Sequence, residues 1–435
     1  MTIEYFLKKF SKLYPKSIDL SLDRIRTLLD KLGNPEKKLP PIIHIAGTNG
    51  KGSTVAFLNS IFESANYKVQ AYTSPHLINF NERIRLPNGY IEDDFLIDIF
   101  EECNFYNKDE PISFFEITTA AAFLAFSRSK GDILLLEVGL GGRLDTTNVI
   151  EKPMLSAITP VSLDHTEFLG KSLNKIAYEK AGIIKYNSRV LIGPQEQKVD
   201  EIFKEIAIQK KNFLFAYGKD WDFSSNVDGS INLIFQEQLV PLPKPSLHGF
   251  HQISNAAQAA SCALAQNIFK ITIKDLENGI KNAYWPGRLQ KIFVNLPEKN
   301  ITNLKIWLDG GHNASAGICL SKSIRSLDNE VAEKNVLILG MLENKDFISY
   351  LKPLKKIIDL LICIPIPNTN NYHDPKKLKT FSEEQLRIRS ETANDFFAAL
   401  DVANKIFPIN KAKIIACGSL YLVGEILKIN GYDFR

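Results

Sequence analysis

A lysine set among glycines and hydroxyls, directly after a β-branched run, is a combination suited to polyphosphate. In Ile42-Ile43-His44-Ile45-Ala46-Gly47-Thr48-Asn49-Gly50-Lys51-Gly52-Ser53-Thr54 a short apolar strand opens into a glycine-rich turn. Glycines let backbone N–H groups point toward one spot, a following helix adds partial positive charge at its N-terminus, and Lys51 adds a full charge. Val55, Leu58, Phe62 and Ala65, three and four residues apart, predict that helix. The spacing departs from the usual P-loop: two residues separate Gly47 from Gly50, and Gly52 stands between Lys51 and Ser53. Taken alone, the string also fits a glycine-rich turn with a solvated lysine.

Four further clusters fall at or near the ends of predicted strands, where open α/β sheets collect ligands. Glu137 closes an apolar run and begins Glu137-Val138-Gly139-Leu140-Gly141-Gly142-Arg143-Leu144-Asp145-Thr146-Thr147-Asn148. A carboxylate there is costly unless it meets a cation or a donor. Mg²⁺ on nucleotide phosphates would satisfy it, and so would Arg143 in a turn. Ser162-Leu163-Asp164-His165-Thr166-Glu167 places an imidazole in a polar loop, able to ligate metal or to hydrogen-bond locally. In Glu179-Lys180-Ala181-Gly182-Ile183-Ile184, Lys180 reads as a phosphate contact or an ion pair with Glu179. Asp309-Gly310-Gly311-His312-Asn313-Ala314 reads as a ligand-binding turn or as an ordinary turn before an Asn-capped helix.

The elements that must hold these side chains alternate between strands and helices. Ile18, Leu22, Ile25, Leu28, Leu29 and Leu32 share one face of a helix over 18–32, ended by Gly33, Asn34 and Pro35. Strands are expected at 68–73, 132–138 and 155–159, with helices at 113–130 and 172–184. Residues 74–84 are too polar and irregular for an element and read as a substrate lid. Short strands and turns over 212–245 suggest a small β appendage. An Ala-rich helix at 252–266 and the turn Trp285-Pro286-Gly287-Arg288 precede strands at 305–309, 336–340, 360–364 and 413–417. The expected fold is α/β: an N-terminal P-loop ATPase domain with a doubly wound, mainly parallel sheet over 1–295, and a smaller C-terminal Rossmann-like α/β domain over 296–435. The second part lacks a G-x-G-x-x-G, so dinucleotide binding is not indicated there.

With 435 residues the chain can bury two cores of ordinary size. A net charge of +4 is too small to argue for nucleic acid or a membrane surface. No apolar stretch nears the roughly twenty residues that a membrane helix needs, and no secretory signal is expected. Cys103, Cys262, Cys319, Cys363 and Cys417 show no CxxC pairing and read as reduced residues of a cytoplasmic protein.

From Ile45 to Ile184, then at Asn255, Trp285 to Gln290, Asp309 to Ala314 and Gly418 to Glu425, the order and type of motifs resemble the folylpolyglutamate synthase and dihydrofolate synthase branch of the Mur ligase superfamily. The resemblance implies a ligase that uses ATP and Mg²⁺ to join L-glutamate to dihydropteroate, to a reduced folate, or to both, through an acyl phosphate. It implies that Gly47, Asn49, Gly50, Lys51, Gly52 and Ser53 hold the triphosphate, and that Asn255, Arg288 and Asp309 contact the nucleotide. Ser74, Glu137 and His165 would ligate the metal. Lys180 would carry a CO₂-derived carbamate near a second metal, and His312 would stand near the γ-phosphate or the incoming glutamate. Lys51, Lys180 and His312 are thus the implied catalytic set. The pterin-side pocket would draw on Ser74, Pro75, His76 and Arg83, on Ser113, Phe114, Phe115 and Glu116, and on Leu144, Asp145 and Thr146. The family's Asp-Gly-Ala-His-Asn reads Asp-Gly-Gly-His-Asn here. Gly418-Ser419-Leu420-Tyr421 also matches and is assigned to structure. A monomer is implied, while the acceptor, the polyglutamate length and a K⁺ requirement stay open.

Two other readings compete. A different Mur-type amino-acid ligase would use the same chemistry, but such enzymes typically carry a nucleotide-sugar domain ahead of the P-loop. The 46 residues before Gly47 are too few for one. A non-catalytic P-loop regulatory module would not require a metal-type carboxylate, a metal-type histidine and a second-domain histidine together.

Overall fold

The computed structural model describes residues 1–14, 19–296, 301–327, 334–408 and 411–432. Ile18, expected at the start of a helix, lies outside them. Eight strands form the first sheet: β1 (Ile42–Ala46), β2 (Val69–Tyr72), β3 (Ile84–Leu86), β4 (Gly89–Tyr90), β5 (Ile133–Glu137), β6 (Leu155–Ile158), β7 (Arg189–Ile192) and β8 (Phe213–Ala216). Their order is β4-β3-β2-β5-β1-β6-β7-β8. β1, β5 and β6 are buried along their whole length, as strands covered on both faces must be. Pairing is parallel from β2 to β8, and β3 and β4 add an antiparallel edge. β1 sits in the middle, with Ile45 opposite Glu137 on one side and Ala157 on the other. The chain winds outward from β1 in one direction and later in the other. The crevice at that reversal gathers the loops that follow β1, β5 and β6.

Several elements differ from expectation for physical reasons. The helix expected over 18–32 runs only from Asp23 to Lys31, where the Ser21 hydroxyl accepts the N–H of Asp23 at 3.2 Å. Residues 74–84, expected to lack an element, hold a 3₁₀ turn at Phe80–Arg83 and lead into β3. The cause is Glu82, whose carboxylate accepts N–H groups of Leu77, Ile78 and Asn79 at 2.7, 2.8 and 2.5 Å. Such side-chain-to-backbone bonds leave no periodic trace in the sequence. An unanticipated helix, Asp93–Asn107, buries Leu96, Ile99, Phe100 and Cys103, and Phe100 meets Phe10 edge-on at 5.3 Å. The β appendage is an antiparallel sheet of β9 (Trp221–Ser225), β10 (Ile231–Phe235) and β11 (Gln238–Leu242), with β10 in the middle.

A third sheet carries the C-terminal part: β12 (Gln290–Leu296), β13 (Ile301–Asp309), β14 (Lys334–Leu339), β15 (Leu360–Cys363), β16 (Ser390–Thr392) and β17 (Ala412–Cys417). Its order is β12-β13-β17-β14-β15-β16, parallel except for β12 against β13. Asp309 therefore ends the second strand of this sheet, not the first. β12 went unread because Phe293 is exposed inside the run Ile292-Phe293-Val294, which hides the alternation of an edge strand. The chain forms two compact units. One comprises the described residues of Met1–Ser246 with Ile253–Tyr284, and the other Leu247–Gln252 with the described residues that follow from Trp285. β12, which an expected boundary at 295 would divide, lies in the second unit.

All five cysteines are free thiols, four of them buried. Among the described residues no helix is long and apolar enough to cross a membrane.

Candidate active site

The loop after β1 turns on two glycines. Gly47 has φ +152° and Gly50 φ +88°. A Cβ at Gly47 would stand 1.8 Å from Thr159 Oγ1, and one at Gly50 would stand 2.5 Å from Asn255 Oδ1. Space excludes a side chain at both positions, and backbone conformation disfavours one at Gly50. The N–H groups of Thr48 and Asn49 donate to Pro160 O at 3.0 and 3.3 Å. Thr48 Oγ1 donates to Ser162 O at 3.0 Å and accepts the Ser162 N–H at 3.1 Å. The loop is thereby tied to the segment after β6. Helix Lys51–Ser64 then starts, with Gly52 and Ser53 buried in its first turn and no side chain capping it at Gly50. An anion in the loop would serve as that cap.

Lys51 folds back over this loop, donating to Gly47 O at 3.2 Å and Thr48 O at 3.3 Å. Lys180, near the end of helix Leu173–Ala181, reaches the same Gly47 oxygen at 2.8 Å and is only 4% exposed. Burial, and secondly the Lys51 charge, pull the Lys180 pKa from 10.5 to about 7. Near neutral pH much of it is a free amine, the form that adds to CO₂. Neither local pairing left open by the sequence is present. Arg143 reaches Glu179 Oε1 from Nη2 at 2.9 Å and Nε at 3.1 Å, and so pairs with Glu179 instead of Glu137. Arg143 N–H also donates to Glu179 O at 2.7 Å, and Asn148 Nδ2 bridges Arg143 O and Gly182 O at 2.9 and 3.2 Å. The two motifs interlock, which orients the helix that carries Lys180.

Glu137, 4% exposed at the tip of β5, accepts the N–H of Ser74 at 3.3 Å. This places the start of the 74–83 loop beside the carboxylate. His165 holds a left-handed conformation (φ +49°), and its N–H donates to Asp164 Oδ1 at 2.8 Å. Among the described residues no three His, Cys, Asp or Glu side chains form a metal cluster. Glu137 and Ser74 nevertheless offer hard oxygen donors on adjoining loops. That set suits Mg²⁺, which keeps waters and takes phosphate oxygens as further ligands.

Around the acceptor-side residues, Ser113 and Glu116 form a reciprocal cap at the start of helix Phe114–Arg128. Arg24 Nε donates to the buried Glu116 carboxylate at 3.0 Å. Asp145 is buried and accepts from Leu140 N–H at 2.8 Å, Thr147 N–H at 3.0 Å and Thr147 Oγ1 at 2.5 Å; burial raises its pKa. Since the Thr147 hydroxyl donates to Asp145, it accepts from His44 Nε2, 2.9 Å away. His44 is neutral there, its pKa lowered to about 3 by burial and then by Lys185. Thr146 and Thr119 hydroxyls lie 2.8 Å apart, the Phe115 ring packs near Tyr72, and Leu144 packs at the edge of the core. Pro75 follows Ser74 into the loop, where Arg83 Nε donates to His76 Nδ1 at 2.9 Å. Arg24, His44 and Thr147 escaped sequence reasoning, because their partners are distant in sequence or hidden inside a strand or turn.

Within the second unit, Asp309 accepts N–H groups of Leu289 at 3.1 Å and Gly311 at 2.9 Å, and Gly310 N–H donates to Gly287 O at 2.9 Å. These bonds set the turn carrying Arg288 against the one carrying His312. His312 Nδ1 donates to Gly310 O at 3.0 Å, directing Nε2 away from it. Asn313 caps helix Ala314–Ile324 through Ala316 N–H at 2.9 Å. The buried His251 senses both Asp309 and Arg288, and burial lowers its pKa.

A glycine loop at a sheet reversal, a buried carboxylate at the neighbouring strand tip and a second α/β unit define a Mur-ligase-type protein. Residues 45–263 match the Mur ligase middle domain and residues 293–429 match the dihydrofolate synthetase C-terminal domain. The dihydrofolate synthase/folylpolyglutamate synthase of Haemophilus influenzae is 32% identical over 429 residues, covering 97% of this chain and 95% of the relative. The structure of E. coli FolC in complex with DHPP and ADP is 28% identical, with TM-score 0.87 over 99% of this chain and 97% of that one. A bifunctional folylpolyglutamate synthase/dihydrofolate synthase with Mn, AMPPNP and L-glutamate bound is 27% identical, with TM-score 0.84 and coverage of 99% and 98%. The chain belongs to the dihydrofolate synthase/folylpolyglutamate synthase family.

Proposed function

We propose that this protein is an ATP-dependent ligase that joins L-glutamate to dihydropteroate, to a reduced or glutamylated folate, or to both. The observation that carries the reading is the convergence of Lys51 and Lys180 on Gly47 O. It is supported by relatives named for both activities and by related structures holding ADP, or a nucleotide analogue with Mn and L-glutamate.

A carboxylate does not acylate an amine in water, because its oxygen is a poor leaving group. Transfer of the ATP γ-phosphoryl to the acceptor carboxylate gives an acyl phosphate. The amine of glutamate attacks that carbon, the C–O bond to phosphate breaks, and an amide, ADP and phosphate result. Gly47, Asn49, Gly50, Gly52 and Ser53 hold the triphosphate, and Lys51 offsets charge that builds as the phosphoryl group moves. Asn255, Arg288 and Asp309 are the residues that the resemblance assigns to the nucleotide. His312 stands by the γ-phosphate or the incoming glutamate. Ser74, Glu137 and His165 would hold Mg²⁺, which neutralises phosphate charge when bound. The Lys180 amine adds CO₂ and releases one proton, becoming a carbamate that can ligate a second ion.

The unit of Met1–Ser246 with Ile253–Tyr284 supplies the ATP- and acceptor-binding domain, and the unit that begins its main run at Trp285 supplies the glutamate-ligase domain. The acceptor pocket uses Pro75, His76 and Arg83, Ser113 to Glu116, and Leu144 to Thr146. The protein acts as a monomer in the cytoplasm. ADP formation is the test. A ligase needs both glutamate and a pteroate or folate acceptor, whereas ATP hydrolysis indifferent to both would favour a regulatory module.

A further inference from the structure

The carbonyl that Lys51 and Lys180 share belongs to the peptide unit Gly47–Thr48. The other end of that unit, Thr48 N–H, donates to Pro160 O at 3.0 Å. Pro160 O opens a second unit, Pro160–Val161, whose far end, Val161 N–H, donates to Gln195 Oε1 at 3.0 Å. Both units are trans, so in each the C=O and N–H point in opposite directions on one rigid plane. Two planes therefore run end to end from the two lysines to Gln195. That side chain follows β7, which lies two strands from β1 in the sheet.

The end of the β6–β7 ladder explains why a side chain is needed there. Its last paired residues are Ile158 and Ile192, and Gly193 N–H adds a final bond to Ile158 O at 2.9 Å. Pro160 then has no N–H with which to continue. The Gln195 amide stands in for a neighbouring peptide: Oε1 takes Val161 N–H, and Nε2 donates to Thr159 O at 3.1 Å. Val161 is buried, so loss of Gln195 would leave its N–H without that acceptor. The same segment carries the glycine loop. Asn49 N–H also donates to Pro160 O, at 3.3 Å, and Thr48 Oγ1 makes two bonds with Ser162. Thr159 Oγ1 fills the space that a Cβ at Gly47 would need. Rotation of the Pro160–Val161 plane would move the oxygen that holds Thr48 and Asn49, and with it the Gly47 carbonyl. The Lys51 charge at one end of the chain polarises it and strengthens its bonds.

We propose that Gln195 is a positioning residue for the triphosphate. It fixes the Pro160–Val161 peptide and, through it, the Gly47–Thr48 peptide on which Lys51 and Lys180 converge. Gln195 itself touches no reactant. This role rests on the reading of the glycine loop as the triphosphate cradle, and nucleotide binding by the parent protein tests that reading separately.

The test compares Q195M, Q195E and the parent protein. Q195M keeps the length of the side chain and removes both bonds, whereas Q195E keeps an acceptor for Val161 N–H. Calorimetric binding of a non-hydrolysable ATP analogue with Mg²⁺ should weaken roughly five- to thirtyfold in Q195M, the range of one lost buried hydrogen bond. Q195E should bind the analogue more tightly than Q195M. In steady-state assays the KM for ATP should rise in Q195M, while the KM values for glutamate and for the acceptor stay parental. A general loosening of the fold would not give that split. Parental affinity in Q195M, an equal rise of all three KM values, or a Q195E no tighter than Q195M would each overturn the proposal. Should Q195M not fold, Q195A takes its place in every comparison. A parent protein that does not bind the analogue would instead defeat the reading of the loop.

Discussion

The ammonium groups of Lys51 and Lys180 meet on one acceptor, Gly47 O, at 3.2 and 2.8 Å. Burial, and secondly the neighbouring Lys51 charge, favour loss of a proton by Lys180, whose pKa falls to about 7. An unfolded lysine titrates near 10.5, so between pH 7 and 10.5 the unfolded chain binds more protons than the folded one. The destabilisation from burying Lys180 is therefore full below pH 7 and fades as pH rises toward 10.5. In CO₂-free buffer, urea melts of Lys180→Met should show a stability gain over the parent that is larger at pH 6 than at pH 9.5. A pH-independent difference would contradict the placement of Lys180.

Lys51 and Glu137 are expected to act on charge that develops during phosphoryl transfer. Lys51→Ala and Glu137→Ala should each lower turnover at least ~100-fold, the scale of removing one electrostatic stabiliser. Purified variants with near-parental kcat would remove the corresponding residue from the mechanism.

Gly50→Ala tests the loop geometry. The new methyl would need φ +88° and would meet Asn255 Oδ1 at 2.5 Å. A stability loss of about 1–3 kcal/mol is expected, with ATP affinity reduced more than acceptor affinity. Calorimetric titration with a non-hydrolysable ATP analogue reads this directly, and unchanged affinity would refute the role of the loop.

Arg143 is 57% exposed at its side chain and pairs with Glu179 instead of Glu137. Arg143→Ala should therefore change stability by no more than about 1 kcal/mol, as exposed pairs do, and leave turnover near the parental value. A loss matching that of Glu137→Ala would mean that Arg143 serves the strand-tip carboxylate after all.

His44 adds an acid-side prediction. Its folded pKa of about 3 lies below the ordinary 6.5. The unfolded chain therefore takes up a proton between those values, and stability falls as pH drops through that window. His44→Gln keeps an N–H donor for Thr147 but cannot titrate. Its urea midpoint should fall less than that of the parent between pH 7 and pH 5, and equal slopes would contradict a neutral, buried His44.

What could be read from the sequence was whatever local pattern determines. β1, the glycine loop and the helix after it follow from a β-branched run, turn residues and three-four periodicity. Glu137 stood out as a carboxylate ending an apolar strand. Contacts made across long sequence distances left no such mark. Lys180 meets Gly47 from 133 positions away, and Arg24 meets Glu116 from 92. The turn around Glu82 likewise depends on backbone N–H groups that carry no sequence identity. Periodicity reports which face of an element is buried; it does not report which polar side chain closes a distant loop.

The central claim is best tested by incubating the purified protein with ATP, Mg²⁺ and ¹⁵N-L-glutamate, with dihydropteroate or tetrahydrofolate as acceptor, and following products by mass spectrometry. The account predicts one ADP and one phosphate for each labelled glutamate joined to the acceptor through an amide, and no labelled product when ATP is omitted. Stoichiometric ATP cleavage with no glutamate in either acceptor would contradict it.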